Sequence, residues 1–172
     1  TGKRLIQIND QEDTNSLNKS NFNSKVRNNW MYCNSIHLID YCNFATRGRL
    51  VSCKKFLQQQ NKAENIISIL EFSSGDIAIY KVVWNKPGPW SVAINTKEKY
   101  FVKRPIEELR YLAHGTKKFI KIKKDTNDEK FKPGFYNQAK EIANFLKGLR
   151  HNLVDLPEYE TTLKMIKYIY GK

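Results

Sequence analysis

The sequence predicts an α+β domain: a mostly antiparallel sheet of about four or five strands, two C-terminal helices packed on it, and a mixed N-terminal region. Three observations carry that reading. Apolar and β-branched runs of strand length crowd residues 66–124. Turn residues separate those runs, and the chain beyond Gly134 switches from a period of two to a helical one. The domain spans residues 26–172, and residues 1–25 form a flexible or loosely docked arm.

The sheet segments follow in order. Ile66–Phe72 is the first strand, closed by Ser73, Ser74 and Gly75. Ile77–Trp84 is apolar on both faces, as expected of a central strand covered on both sides. The rigid turn Asn85-Lys86-Pro87-Gly88-Pro89 leads into WSVAIN and then KYFVKR, an order that reads as hairpins, because proline fixes φ and glycine accepts positive φ. Pro105 followed by IEELRYLAHG predicts a short helix, with proline in its first turn and Gly115 at its end. In Lys117–Lys124, Ile120 and Ile122 alternate with Phe119, Lys121 and Lys123, so one face feeds the core while the other is basic with an aromatic in it.

Helices come next. Phe135–Leu149 carries Phe135, Ala139, Ile142, Ala143, Leu146 and Leu149 at helical spacing. Leu156–Tyr170 opens with Asp155 and Glu158 at capping-box spacing and ends at Gly171. Upstream, residues 30–44 place Trp30, Cys33, His37 and Tyr41 on one helical face, although a pair of short strands fits the same residues. Leu50–Gln60 puts Leu50, Cys53, Phe56 and Leu57 on one face and reads as a helix, with residues 61–64 as the break before the sheet. Residues 1–25 are polar apart from Leu5-Ile6-Gln7-Ile8, too little apolar surface to offset backbone ordering unless it docks as an edge strand.

Charge is the strongest functional signal. Thirty Lys and Arg against 17 Asp and Glu give a formal net charge of +13, a surface that attracts polyanions. The sequence therefore reads as a nucleic-acid-binding module for DNA or RNA, part of a larger protein or complex. Phosphates would be met by Lys97, Lys99, Lys103, Arg104, Lys117, Lys118, Lys121, Lys123 and Lys124, with Phe119, Trp84 or Trp90 stacking on bases. Edge-strand lysines that block unwanted pairing are the simpler account of the same residues.

Two alternatives come from other classes. One is a small metal-independent ribonuclease or toxin domain using His114 as general acid/base, with Lys117, Lys118 and Lys121 stabilising the phosphorane and His151 as a second group. The other is a module that recognises an acidic protein partner. His114-Gly115-Thr116 is similar to the His-Gly-Thr of ADP-ribosyltransferase-like folds over three residues. That fold places its motif early and needs later strands bearing a glutamate, whereas the chain after Thr116 reads mostly as helix.

Cofactor signals are missing. No G-x-G-x-x-G or G-x-x-x-x-G-K-[ST] loop occurs, so no cofactor is expected. Cys33, His37, Cys42 and Cys53 have zinc-ligand residue types but lack a C-x2-C knuckle, and buried thiols explain them better. Three cysteines without a framework favour a reducing compartment, hence an intracellular location, nuclear or cytoplasmic. No apolar run approaches the roughly 20 residues that cross a bilayer, and no membrane partner is expected.

Overall fold

The computed structural model describes residues 2–13, 22–57 and 65–171. The Asn- and Ser-rich string after Asp13 and the break at 61–64 lie outside the described residues. Eight strands form one mixed sheet: β1 Leu5–Glu12, β2 Leu50–Leu57, β3 Asn65–Phe72, β4 Ile77–Trp84, β5 Ser91–Asn95, β6 Lys99–Lys103, β7 Leu109–Ala113 and β8 Ile120–Lys121. Their spatial order is β2-β3-β4-β1-β5-β6-β7-β8. Helices α1 Ser24–Asn28, α2 Ile36–Ala45, α3 Thr126–Lys130, α4 Phe135–Leu146 and α5 Leu156–Tyr170 complete it, with a π-helical turn at Met31–Ser35 leading into α2.

This overturns the expected four- or five-stranded sheet. The largest difference is at the chain start, where the stretch read as an arm supplies β1, parallel to β4 on one side and antiparallel to β5 on the other. Alternation explains how so polar a strand sits there. Ile6, Ile8 and Asp10 point to the helical layer and are fully buried, while Leu5, Gln7, Asn9 and Gln11 point the other way and stay half-buried. A strand with neighbours on both sides satisfies its backbone completely, so it needs apolar residues on one face only.

Two predicted helices are strands for the same reason. Leu50–Leu57 pairs with β3, and Leu109–Ala113 pairs with β6. Cross-strand partners outweigh the local helical period in both.

One face of the sheet is covered. Ile66, Leu70, Ala78, Tyr80, Val82 and Val92 pack with Leu38, Ile39 and Cys42 of α2 and with Met165, Ile166 and Ile169 of α5. Burying each large side chain is worth about 1.5–3 kcal/mol, which makes this layer the main source of stability. The opposite face is open: Phe56, Ile67 and Ile77 are 57%, 45% and 39% exposed, so β4 is interior but covered on one side only. Ile120 and Ile122, expected in the core, are also exposed.

Of the two C-terminal helices, α5 packs on the sheet, with the Asp155–Glu158 capping box at its start and Gly171 in the left-handed region at its end. By contrast α4 forms as its pattern demands yet buries none of its residues.

The start of β1 is held by a carboxylate. Asp76 is fully buried and accepts hydrogen bonds from the Arg4 amide at 2.8 Å, the Arg47 amide at 3.0 Å, and Arg47 Nε and Nη2 at 2.9 and 2.6 Å. The Arg47 guanidinium holds the Asp76 carboxyl well below the usual carboxylate range. A depressed folded pKa gives stability that is fully present above about pH 4 and fades as pH falls through the folded value. Asp76→Asn should therefore cost about 3 kcal/mol at neutral pH, read as a drop in urea midpoint, and the variant should lose less stability than the parent on acidification below pH 4. Equal acid sensitivity in both proteins would refute the clamp.

Candidate functional site

A cleft of about 630 Å³ opens at the rim of the sheet where β1 and β6 end and β5 begins. Its walls are Gln11, Glu12 and Asp13 from the end of β1, Trp30 and Asn34 beside the π-helical turn, Gly88, Pro89 and Trp90 before β5, and Pro105, Ile106 and Glu107 after β6. Each wall has a local cause. Strand β1 delivers its acidic end because β4 stays paired with it to Glu12, whereas β5 begins opposite Asn9 and leaves room beyond it. Widened helical turns recur at functional sites, and here the turn carries Asn34, whose Nδ2 donates to Glu12 Oε2 at 3.3 Å. Gly88 has φ +154°, and a Cβ there would run into the Gln11 amide, which itself donates to the Pro87 carbonyl at 2.6 Å. The positive φ favours glycine there, and a larger residue would also push the flexible Gln11 side chain off the Pro87 carbonyl.

The polar chemistry is mostly acidic. Burial, followed by the charge of Asp10, pushes the Glu12 carboxyl above its ordinary value, while Asn34 pulls the other way. Beneath the cleft, Asp10 Oδ2 accepts from Tyr80 at 3.0 Å and Tyr170 at 2.7 Å, tying β1 to β4 and α5. Burial pushes Asp10 up and outweighs the opposing pull of Ser35, Tyr170, Tyr80 and Trp84. Ser35 and Trp84 make no well-formed hydrogen bond to Oδ1, which stays without a partner. The Nε1 atoms of Trp30 and Trp90 are likewise buried and without acceptors.

The predicted site residues do not assemble as expected. Pairing parity puts Phe101 on the helix side with Ile94 and Ile6, so Lys99 and Lys103 share that side. Lys121 pairs with Arg110 and faces the open side. Lys99 Nζ lies 4.7 Å from the Tyr111 ring centre and Lys103 Nζ 5.2 Å from that of Tyr41. On the open side Phe119 packs near Tyr100 and Arg110, and Lys121 pairs with Glu108 at 3.3 Å. Lys97 lies in the β5–β6 turn. Arg104, Lys117, Lys118, Lys123 and Lys124 are exposed on connecting segments. The basic residues thus lie on both faces, because a one-residue change of position reverses a side chain.

His114 follows a strand, not a helix, its amide donates to the Glu98 carbonyl, and it lines a shallow hollow with Glu98, Lys97 and Lys99 but without His151, the expected second group. Cys33, His37, Cys42 and Cys53 are not brought together, and the described residues contain no group of three potential metal ligands. The Cys42 thiol is pushed up to about 12 by burial. No helix among the described residues is long and apolar enough to cross a membrane. The acidic end of β1 and Asn34 were missed as site residues. The signal available was Glu12 and Asp13 directly after an alternating apolar stretch.

No known family profile matches the chain, and no curated protein matches it in sequence. Solved structures do. UDP-N-acetylglucosamine 3-dehydrogenase GnnA from Acidithiobacillus ferrooxidans superposes with a TM-score of 0.72 at 11% identity, over 98% of this chain and 52% of that one. Levoglucosan dehydrogenase in complex with NADH and levoglucosan gives 0.70 at 13% identity, over 99% and 56%. The WlbA dehydrogenase from Bordetella pertussis, in complex with NADH and UDP-GlcNAcA, gives 0.63 at 12%, over 99% and 54%.

The chain has the fold of part of these enzymes. At such identities the likeness is one of fold, and the chain spans about half the length of the structures it matches. Together with the dispersed lysines, this overturns the nucleic-acid-binding reading and its ribonuclease alternative, since the fold is shared across nearly the whole chain with dehydrogenases.

A nicotinamide dinucleotide is what those neighbours imply, and the residues here do not fit one. Among the described strands only β1 and β4 pair in parallel. Dinucleotide pyrophosphates sit at a glycine-rich turn opening a helix. Here α3 and α5 are capped by Asp125 and Asp155, whose charge would repel one, and α4 opens at Gly134, a lone glycine with no second one in its turn.

Asp10 offers a direct check of the buried layer. Its folded pKa lies above the unfolded one, so its contribution is present below about pH 4 and lost as pH rises through the folded value. In urea titrations across pH, Asp10→Asn should flatten the decline above pH 4, leaving the slope that Glu12 adds with the same sign. An unaltered slope would mean that the Asp10 carboxyl ionises freely in the fold.

Proposed function

We propose that this chain is the sheet-bearing, substrate-side half of an oxidoreductase that acts on a carbohydrate, with the dinucleotide held by residues other than these. The observation that carries the reading is the cleft itself. The half-buried Trp90 indole provides an apolar surface, and the carboxylate and amide groups of Glu12 and Asn34 nearby are suited to the hydroxyls of a sugar ring. Support comes from the fold's likeness to dehydrogenases whose names or bound ligands include levoglucosan and UDP-linked sugars. The three free thiols suit an intracellular setting.

In this reading Asn34 and Glu12 orient hydroxyls, the Trp90 indole stacks on the ring, the buried Trp30 backs the cleft wall, and the Asp10–Tyr80–Tyr170 network keeps the end of β1 in place. Proton NMR of the indole N–H resonances tests it. Levoglucosan should shift the signals of Trp30 and Trp90 while leaving Trp84 unmoved, and NADH should shift none of the three. Unmoved Trp30 and Trp90 signals at saturating sugar, or NADH binding by this chain alone, would overturn the proposal.

A further inference from the structure

Among the described residues, the two helices that pack on the sheet, α2 and α5, lie on the same face of it. Pairing parity gathers Leu5, Ile67, Ile69, Ile77, Ile79 and Val83 on the other, open face. Ile67 and Ile77 are exposed and the rest are half-buried. The patch is continuous, because Ile69 lies opposite Ile79 and Ile77 lies opposite Leu5 on the next strand. Scattered apolar side chains on a surface need no explanation, whereas a contiguous patch in the middle of a sheet marks a docking surface.

We propose that a second copy of this chain covers that face, the two sheets packing against one another across a two-fold axis. The area is sufficient. Strands β1 to β7 are five to eight residues long, and with about 4.8 Å between strands and about 3.3 Å per residue they present roughly 700 Å². A stable interface takes about 800 Å² from each partner, so the open face is of the required size before the relief of its side chains is counted. Helix α4, also unburied, has 12 residues and is about 18 Å long. It is too small a surface to hold a dimer alone.

Charge favours a second copy over an unlike partner. The patch carries one acidic and one basic group at its two ends, Glu71 opposite Ile77 and Lys81 opposite Ile67. Glu71 accepts from Ser52 Oγ at 2.8 Å, and among the described residues neither Glu71 nor Lys81 is in an ion pair. Each lies two residues from the Ile69–Ile79 pair, and because β3 and β4 run antiparallel the two are displaced in opposite directions. A two-fold axis in the plane of the contact, crossing the strands between Ile69 and Ile79, lays Lys81 of one copy over Glu71 of the other. The same pair then recurs on the other side of the axis, as a self-complementary interface requires. None of the six apolar residues lines the cleft, so the dimer can fail while the saccharide reading stands, and the reverse.

Sedimentation equilibrium of the chain over a range of concentrations tests the contact. The parent should form a dimer with a Kd on the order of micromolar. Glu71→Lys alone and Lys81→Glu alone should each raise that Kd about tenfold or more, because each variant would set like charges over one another twice. An equimolar mixture of the two variants should dimerise at the parent's concentrations, since a mixed pair again brings opposite charges together on both sides of the axis. Rescue in the mixture also shows that both variants are folded. Ile77→Lys, at an exposed position in the patch, should weaken the dimer by a similar factor. A parent that stays monomeric up to about 1 mM, or a mixture no more dimeric than the separate variants, overturns the proposal. So does a dimer that survives Ile77→Lys and is lost in Leu146→Glu, which would put the contact on α4.

Discussion

Asp76 has no water to turn to, and the groups that satisfy it come from distant parts of the chain. The Arg4 amide precedes β1 and the Arg47 amide and guanidinium follow α2, so one carboxylate joins the two approaches to the sheet. Such a group is costly to bury alone and stabilising once its hydrogen bonds are complete. Only one placement of β1 completes them. With Arg4 held against Asp76, Leu5 falls opposite Ile77 and every later residue of β1 is in register with β4 as far as Glu12 opposite Trp84. The central position of the strand, the alternation that buries Ile6 and Ile8, and the arrival of its acidic end at the cleft all follow from that contact.

Charge is segregated across the molecule to an extent that composition cannot reveal. The surplus cations are spread over both faces of the sheet and over its connecting segments, several of them resting on aromatic rings. A long lysine stem covers apolar surface while its ammonium stays in water, so these residues help solvate a sheet that carries helices on one face only. The acidic residues are fewer but partly gathered, with Asp10, Glu12, Asp13 and Glu107 in or beneath one cleft. A net charge describes the far field, whereas a ligand in a cleft meets the local one.

Some of this was legible in the sequence. The runs from Ile66 to Phe72 and Ile77 to Trp84, the helix from Phe135 and the capped helix from Leu156 announce themselves because local pattern and tertiary role agree there. The failures share one physical origin. Residues 50–57 and 109–113 carry apolar residues that fit a helical period, and only a partner strand elsewhere in the chain decides against it. Residues 5–12 look too polar to be interior, since a strand with neighbours on both sides but an open face needs only half its residues apolar. In the cleft, the indole of Trp90 was visible as a candidate for stacking. Its association with Glu12, Asn34 and Glu107 was not, because four separate segments meet there and no spacing within one segment records it.

Strand β1 has a carboxylate-defined environment at each end, and the two ends work in opposite directions. At Arg4 the buried Asp76 is charged, fully partnered and stabilising. Toward Glu12, Asp10 is buried with one oxygen lacking a partner, and its neighbours do not compensate for the lost solvation. A site that keeps polar groups incompletely satisfied is less stable than a core packed with apolar side chains, so it persists only where another part of the fold fixes the backbone that carries it. Asp76 provides that at the far end of the same strand, and β4 carries the constraint along it residue by residue, with β5 alongside as far as Asn9. Glu12 can then be presented at the cleft, because the strand that carries it is anchored at its other end by a carboxylate that is fully buried.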